Sequence, residues 1–363
     1  MAGGNGLIRV ITSVNPKDVQ KVAKTVKEVG KVAGEIVGIV AMVGQFAATG
    51  GTWAKHEVYR RRVERAQNAA KAKTNAAKEK INSYRSILSA CVRENHKHDW
   101  ASLQQDILSG APPPSLEEMR EKVGVPRPDP RGAGSKEKRA AKEAEARALF
   151  EKLVREHDEA VIHARAELAR LKSGYEDGDG EAVEFYVRGA LKRSACPEGI
   201  QPEPDAVFNH SDKTIVVDFV VPVMARLPSV WGYAYDEDGG RETRVTMSPD
   251  EIEELYAEVL YQLCLKHLYI AMSASPAGHV ERMVSNGWFP GVDRKTGRDA
   301  HICVISCSAT REELVSYNLG RVDSRECFQH LGGVCGEPLA RVVPVDPIMR
   351  VNKRDPRFMP PTV

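Results

Sequence analysis

The sequence predicts an α+β protein: a long N-terminal helical hairpin or coiled coil, then a C-terminal antiparallel sheet of four to six strands with helices on one face. Three observations lead there. Apolar residues recur at alternating spacings of three and four through the first half, a Pro/Gly-rich break follows, and short β-rich runs separated by turn residues begin near Gly174. A chain of 363 residues, 42% of them hydrophobic, is long enough for about two or three domains. Its 52 basic and 50 acidic residues leave a formal charge of +2, which excludes a protein-wide field that would by itself gather nucleic acid. Electrostatic arguments therefore rest on local clusters.

The helical hairpin is expected over residues 1–98. Val19, Val22, Val26, Val29, Ala33, Ile36, Val40, Val43 and Ala47 form one narrow seam that needs a partner helix. Gly50-Gly51 breaks it and Thr52 can cap a second helix, whose stripe is Val63, Ala66, Ala70, Ala77, Ile81, Tyr84, Leu88 and Cys91. Self-association through these helices is the expected outcome, giving a homo-oligomer. A membrane reading competes for residues 32–51, where only Glu35 and Gln45 are strongly polar and Gly30, Gly34 and Gly38 offer a small-residue face. Glu35 is costly in hydrocarbon, and the seam continues upstream through Lys17 to Lys31, as a soluble coiled coil would. On the second helix Arg60, Arg61, Arg62, Arg65, Lys71 and Lys73 form a basic run able to touch phosphates, or a solvated helix face.

Residues 99–135 read as a linker, because Pro112-Pro113-Pro114 and the stretch from Val125 to Gly134 cannot continue a helix. A charged connecting helix is expected over 136–174, with a modest apolar face from Leu149, Phe150, Leu153, Val161, Leu168 and Leu171. From 175 to 358 the pattern is that of a packed domain, with a short tail, 359–363, after it. Glu181 to Lys192 reads as a helix. Ala206 to Asn209 and Thr214 to Val221 make a hairpin, Val230 to Tyr235 and Glu242 to Met247 a second, and Val280 to Val292 with His301 to Ser306 a third. Ser248-Pro249-Asp250-Glu251 opens a helix running to about Met272, and Thr310 with Glu313 and Asp323 with Glu326 open two more.

The succession of landmarks in this block resembles the region preceding the nuclease domain in Mrr-type restriction-endonuclease-like proteins. They are Gly178-Asp179 with Glu181-Ala182-Val183 and Tyr186; the strand from Ile215 to Pro222; Leu255 to Leu265; and Asn286-Gly287-Trp288. Thr296-Gly297, Val322-Asp323 with Cys327-Phe328, and Pro344 to Ile348 followed by Asp355, Arg357 and Phe358 complete the series. The resemblance covers residues 175–358, about half the chain, and implies a setting in bacterial DNA restriction or phage defence. In that family a nuclease domain follows, with acidic residues and a lysine around a metal; this sequence does not contain it. The implication is a non-catalytic accessory, sensing or assembly protein, with a nuclease or ATPase as its expected partner protein.

Within the block, Pro204-Asp205 and Asp218-Phe219-Val220 outline a paired-acid nuclease motif in which two carboxylates hold Mg²⁺. Val220 occupies the lysine position, and strand alternation can simply turn Asp218 to solvent. A Mg²⁺-dependent nuclease or DNA-binding component using Asp205 and Asp218 is the runner-up, and a membrane-associated effector acting through the Gly-rich helix is a further alternative. His301, Cys303, Cys307, Cys327, His330 and Cys335 are soft donors, of which Cys327, His330 and Cys335 are the closest-spaced set, but a second CxxC or HxxxH pair is absent. Cys303 and Cys307 are expected on one strand face, too far apart for one ion. His210, His267 and Ser306 lack a nucleophile elbow, no phosphate loop is present, and no cofactor is expected. Trp231, Tyr233 and Tyr235 alternate along one strand as candidate partner contacts. Seven scattered cysteines and no signal peptide point to the cytoplasm, with inner-membrane association under the second reading.

Overall fold

The computed structural model describes residues 52–97, 100–109, 112–126, 135–236, 240–292, 297, 299–351 and 355–358. The chain divides into two units: the described part of Met1–Glu79 with Ser229–Met247, and Lys80–Pro228 with Ser248–Val363. Residues 1–51, which carry the first helical seam and the candidate membrane span, lie outside the described residues, as does the 359–363 tail. Among the described residues, no helix is long and apolar enough to cross a membrane.

In the first unit the helix α1 (Thr52–Arg85), as far as Glu79, meets a two-stranded antiparallel sheet of β3 (Val230–Asp236) and β4 (Arg241–Thr246); its C-terminal end, from Lys80, belongs to the second unit. The second hairpin thus belongs with this helix and forms a sheet of its own, whereas the sequence pattern assigned it to the C-terminal block. Gly232 explains the close approach: a Cβ there would stand 2.8 Å from Thr74 Cγ2. Thr74 Oγ1 accepts a hydrogen bond from the Tyr233 amide at 2.8 Å, so the strand backbone is bonded directly to the helix.

The second unit is built on a five-stranded sheet in the order β1 (Asp205–Asn209), β2 (Thr214–Val220), β5 (Arg282–Val292), β6 (Asp299–Thr310), β7 (Val334–Cys335). The fold is α+β, as the sequence predicts. β2 and β5 run parallel, however, while the other pairs are antiparallel. The long crossover between them is α7 (Pro249–Ala274), whose length permits a parallel connection that a tight turn does not. Its start carries the expected capping box, with Ser248 Oγ accepting from the Glu251 amide and the Glu251 carboxylate from the Ser248 amide.

From Leu255 to Ala274 this helix is buried almost all round, including Gln262, Lys266 and His267. A helix apolar on every side must be enclosed. It packs against β2, β5 and β6, and also contacts α2 (Ile87–Arg93), α6 (Gly180–Arg193) and α9 (Ser324–His330). At the break between α1 and α2, Gln262 Nε2 donates to Tyr84 O at 3.0 Å and its Oε1 accepts from the Leu88 amide at 3.1 Å. One buried amide therefore replaces the interrupted helical bonds.

The expected linker of residues 99–135 contains two short helices, α3 (Trp100–Ser109) before Pro112-Pro113-Pro114 and α4 (Leu116–Val123) after it. α4 is capped by Ser115 and ends on Gly124 at φ 71°. The connecting helix is α5 (Ser135–Asp177). At its C-terminal end Trp100, Tyr175 and Tyr186 form an aromatic cluster with centroids 4.4–5.7 Å apart, and Tyr175 Oη donates to Ala274 O. The last elements are as predicted: Thr310 caps α8 (Arg311–Ser316) in a capping box and Asp323 caps α9.

Helices lie against one face of the sheet. Phe219 on that face stands 4.4 Å from the His267 ring. The opposite face is covered by the C-terminal segment, where Phe358 packs with Trp288 and Cys303. Between Gly287 and Trp288 the β5–β6 register slips by one residue. That bulge turns Cys303 towards Phe358 while Cys307 lies against Cys264 of α7, so the two cysteines face opposite ways, correcting the expectation of a shared face.

Gly287 is the tightest point of the sheet, since a Cβ there would meet Ile305 Cγ2 at 2.6 Å and Phe219 Cζ and Val221 Cγ1 at 2.9 Å. Gly287→Val is expected to destabilise the protein by about 1–3 kcal/mol through overpacking, measured as a lower denaturation midpoint in urea. An unchanged midpoint would remove this residue from the core argument.

Candidate functional site

Four polar residues stand in one row across the sheet. Asp205 on β1 is the register partner of Asp218 on β2, which pairs with Asn286 on β5, which pairs with Ser306 on β6. The sequence candidates Asp205 and Asp218 are thus brought side by side. Asp218 is only 2% exposed, contrary to the expectation that alternation turns it to solvent. The reason is tertiary: the C-terminal segment closes over that face of the sheet.

The row is wired internally. Asp218 Oδ1 accepts from Asn286 Nδ2 at 2.9 Å and from Trp288 Nε1 at 2.8 Å. Asn286 Nδ2 also donates to Met349 O at 2.9 Å, and its Oδ1 accepts from Ser306 Oγ at 2.7 Å. Ser306 Oγ in turn accepts from the Ile348 amide at 3.0 Å. The C-terminal segment is therefore bonded to the sheet through side chains, with Val345 N donating to Cys303 O and the Arg350 guanidinium 5.7 Å from the Trp288 ring. Farther along, Arg357 is held by Asp355 and by Glu203.

Burial pushes the Asp218 carboxyl up to about 6; the bonds from Asn286 and Trp288 pull it down, and the Asp205 and Asp355 carboxylates push it up. Asp205 bonds Arg188 of α6 at 2.5 Å. Val220, at the lysine position of the nuclease outline, packs against the Trp288–Cys303–Phe358 cluster. Among the described residues no three His, Cys, Asp or Glu gather as metal ligands. Chemically, the arrangement is a buried carboxyl group whose hydrogen-bond donors anchor a chain segment.

The remaining candidates are placed as follows. Cys327 is buried and its thiol is pushed up to about 11, chiefly by burial. His330 lies beside Tyr317, with centroids 5.9 Å apart, and Cys335 Sγ is 3.7 Å from Tyr261 Oη. His267 is pushed down to about 3 by burial and by Lys266, and it sits on the helix side of the sheet, away from the Ser306 network. His210 lies beside Phe208, with ring centroids 5.0 Å apart and the planes tilted by 50°. The three do not form a triad.

On α1, Arg60, Arg61, Arg62, Arg65, Lys71 and Lys73 are all exposed. Arg60 and Arg61 pair with Glu57 at 2.9 Å, and Lys73 pairs with Glu242 at 2.7 Å and stands 5.5 Å from the Tyr233 ring. Tyr233 and Tyr235 are half-buried on β3, and Trp231, also half-buried, falls at a register shift, so the three do not form a regular stripe. Sequence reasoning missed a groove of about 840 Å³ between α7 and α9, lined by Glu253, Glu254, Glu258, Asp323, Glu326 and Glu337 around Tyr261. It also left Asn286, Trp288 and Ser306 unconnected to Asp218. The available signal was their common alternation on three apolar strands.

No family model, curated protein or solved structure matches this chain. The geometry above is what bears on function.

The raised Asp218 value fixes a sign. The folded state binds this proton more tightly than the unfolded chain, whose carboxyl titrates near 3.8, so ionisation costs stability as pH rises from about 4 to about 6. Asp218→Asn keeps an acceptor for Asn286 and Trp288 without the charge. Relative to the parent protein it is expected to gain about 3 kcal/mol between pH 4 and pH 7, at roughly 1.4 kcal/mol per pKa unit, read from paired denaturation curves. A difference that does not change with pH would reject the assignment.

Proposed function

We propose that this chain is a non-catalytic accessory, sensing or assembly protein of a bacterial DNA-restriction or phage-defence system. It self-associates through its N-terminal helices and receives a partner or foreign-DNA signal through its C-terminal unit. A nuclease or an ATPase would supply the chemistry as a partner protein. The setting rests on the resemblance of residues 175–358.

One observation carries the non-catalytic reading. Asp218, one of the two candidates for metal chemistry, is buried and its Oδ1 is engaged by Asn286 and Trp288, with Val220 where an activating lysine would stand. A carboxylate that binds Mg²⁺ for hydrolysis must present oxygens to an open, hydrated position. This one anchors the segment containing Ile348 and Met349 through Asn286 and Ser306 instead. Landmarks far apart in the sequence, Asp218, Asn286-Gly287-Trp288, Val345 and Phe358, meet in that frame. Their shared role as a packed frame supports an accessory domain.

A second reading, a DNA-binding component, is favoured by the exposed run of Arg60, Arg61, Arg62, Arg65 and Lys71 on α1. Such a face neutralises phosphates without reading bases. The two readings make different demands on purified protein. With supercoiled plasmid and Mg²⁺ or Mn²⁺, no nicking is expected; cleavage that disappears in Asp218→Ala would overturn the accessory reading. If DNA is bound, exchanging Arg60, Arg61 and Arg62 for Glu is expected to reduce the slope of log affinity against log salt by about three. An unchanged slope would remove α1 as the contact.

A further inference from the structure

Lys266 lies in the middle of α7 and is 1% exposed. Its ammonium donates to Ala195 O at 2.5 Å and stands 3.1 Å from Cys196 Sγ. No described carboxylate forms an ion pair with it. A buried ammonium is costly unless neighbouring groups compensate its charge, and here its hydrogen-bond partners are a carbonyl and a sulfur. Ala195 and Cys196 belong to the loop joining α6 to β1, and Cys196 is half-buried as a residue while its sulfur touches a buried cation.

The other thiols differ. Burial pushes Cys91 and Cys303 up to about 12 and Cys327 up to about 11, raises Cys264 and Cys335 as well, and leaves Cys307 0% exposed. Thiols in such surroundings are poor nucleophiles, because the thiolate is the reactive form. Among the described cysteines, Cys196 alone combines partial exposure with a lysine amine in contact.

We propose that Cys196 and Lys266 form a peroxide-driven, reversible covalent switch in which the oxidised sulfur of Cys196 becomes bonded to Lys266 Nζ. In the first step the Cys196 sulfur attacks a hydroperoxide, the O–O bond breaks, and the sulfur is oxidised by two electrons to a sulfenic acid as water or an alcohol leaves. In the second step the Lys266 ammonium first gives a proton to solvent, which frees the Nζ lone pair; the neutral amine then attacks that sulfur and the S–O bond breaks. The departing hydroxide takes one amine proton as water and an S–N sulfenamide bond remains, as when a sulfenic acid condenses with a backbone nitrogen. A small thiol reverses it by attacking the sulfur and releasing the amine, and a second thiol then frees Cys196 as it forms a disulfide with the first. The bond would staple the α6–β1 loop to α7, the helix on which the sheet is packed.

The test uses the full-length protein treated with hydrogen peroxide and then digested for mass spectrometry. The expected result is a linked pair of peptides containing Cys196 and Lys266, two hydrogens lighter than their sum and absent after dithiothreitol. Lys266→Met keeps the buried aliphatic stem and removes the amine. In that variant dimedone is expected to capture a sulfenic acid at Cys196 about tenfold more than at any other cysteine, with no linked pair. Cys196→Ser is expected to give no linked pair. Folded parent protein that yields only free Cys196, or Cys196 oxidised to sulfinic acid without the link, overturns the proposal, and this readout is independent of how either variant folds.

Discussion

The buried carboxylate of Asp218 is the constraint around which the C-terminal unit is arranged. A charge on an interior strand of a sheet cannot be left without donors, and Asn286 and Trp288, both on the parallel neighbour, supply them. Once Asn286 is committed to Asp218, its second N–H and its oxygen are aimed at Met349 O and Ser306 Oγ. The last turn of chain is thereby drawn across the sheet, and Phe358 closes against Trp288 at a centroid distance of 6.4 Å. Polar specificity and apolar cover arise from the same few residues.

The opposite face follows a different rule. There α7 is enclosed almost all round, and two of its buried polar side chains find defined partners. Gln262 bridges the break between α1 and α2, and Lys266 meets the Ala195 carbonyl and the Cys196 sulfur. Arg311 closes the end of the helix with bonds to Met272 O, Ser275 O and Val280 O. His267 Nδ1 and Ser285 Oγ are the buried polar side-chain atoms left without a partner among the described residues. The two layers divide the work: helices on one side stabilise by apolar burial, and the C-terminal cover on the other is located by hydrogen bonds.

Elements governed by local chemistry were legible in the sequence. The capping boxes at Ser248 and Thr310, the cap at Asp323 and the first hairpin fall where side-chain chemistry and turn residues place them. So does the stripe from Val63 to Cys91, whose described members point inward. The proline clusters correctly mark helix ends, but the short helices that precede them went unread because each has too few residues for a periodic signal. Of the candidate site, the sequence named Asp205 and Asp218 as a pair of acids, and the observed hairpin register sets them opposite each other.

What the amino-acid order determined by itself was therefore the fold class, the caps, the hairpins and the candidate acids, because each depends on residues a few positions apart. Tertiary structure decided the rest: the parallel pairing of β2 with β5, the separate sheet of β3 and β4, the bulge that turns Cys303 away from Cys307, and the burial of Asp218. Each of these depends on groups tens to more than a hundred residues distant, such as Met349 above Asn286 and Thr74 beside Tyr233. Alternation along a strand says which side chains share a face; only the chain that arrives to cover that face decides whether it is wet or dry.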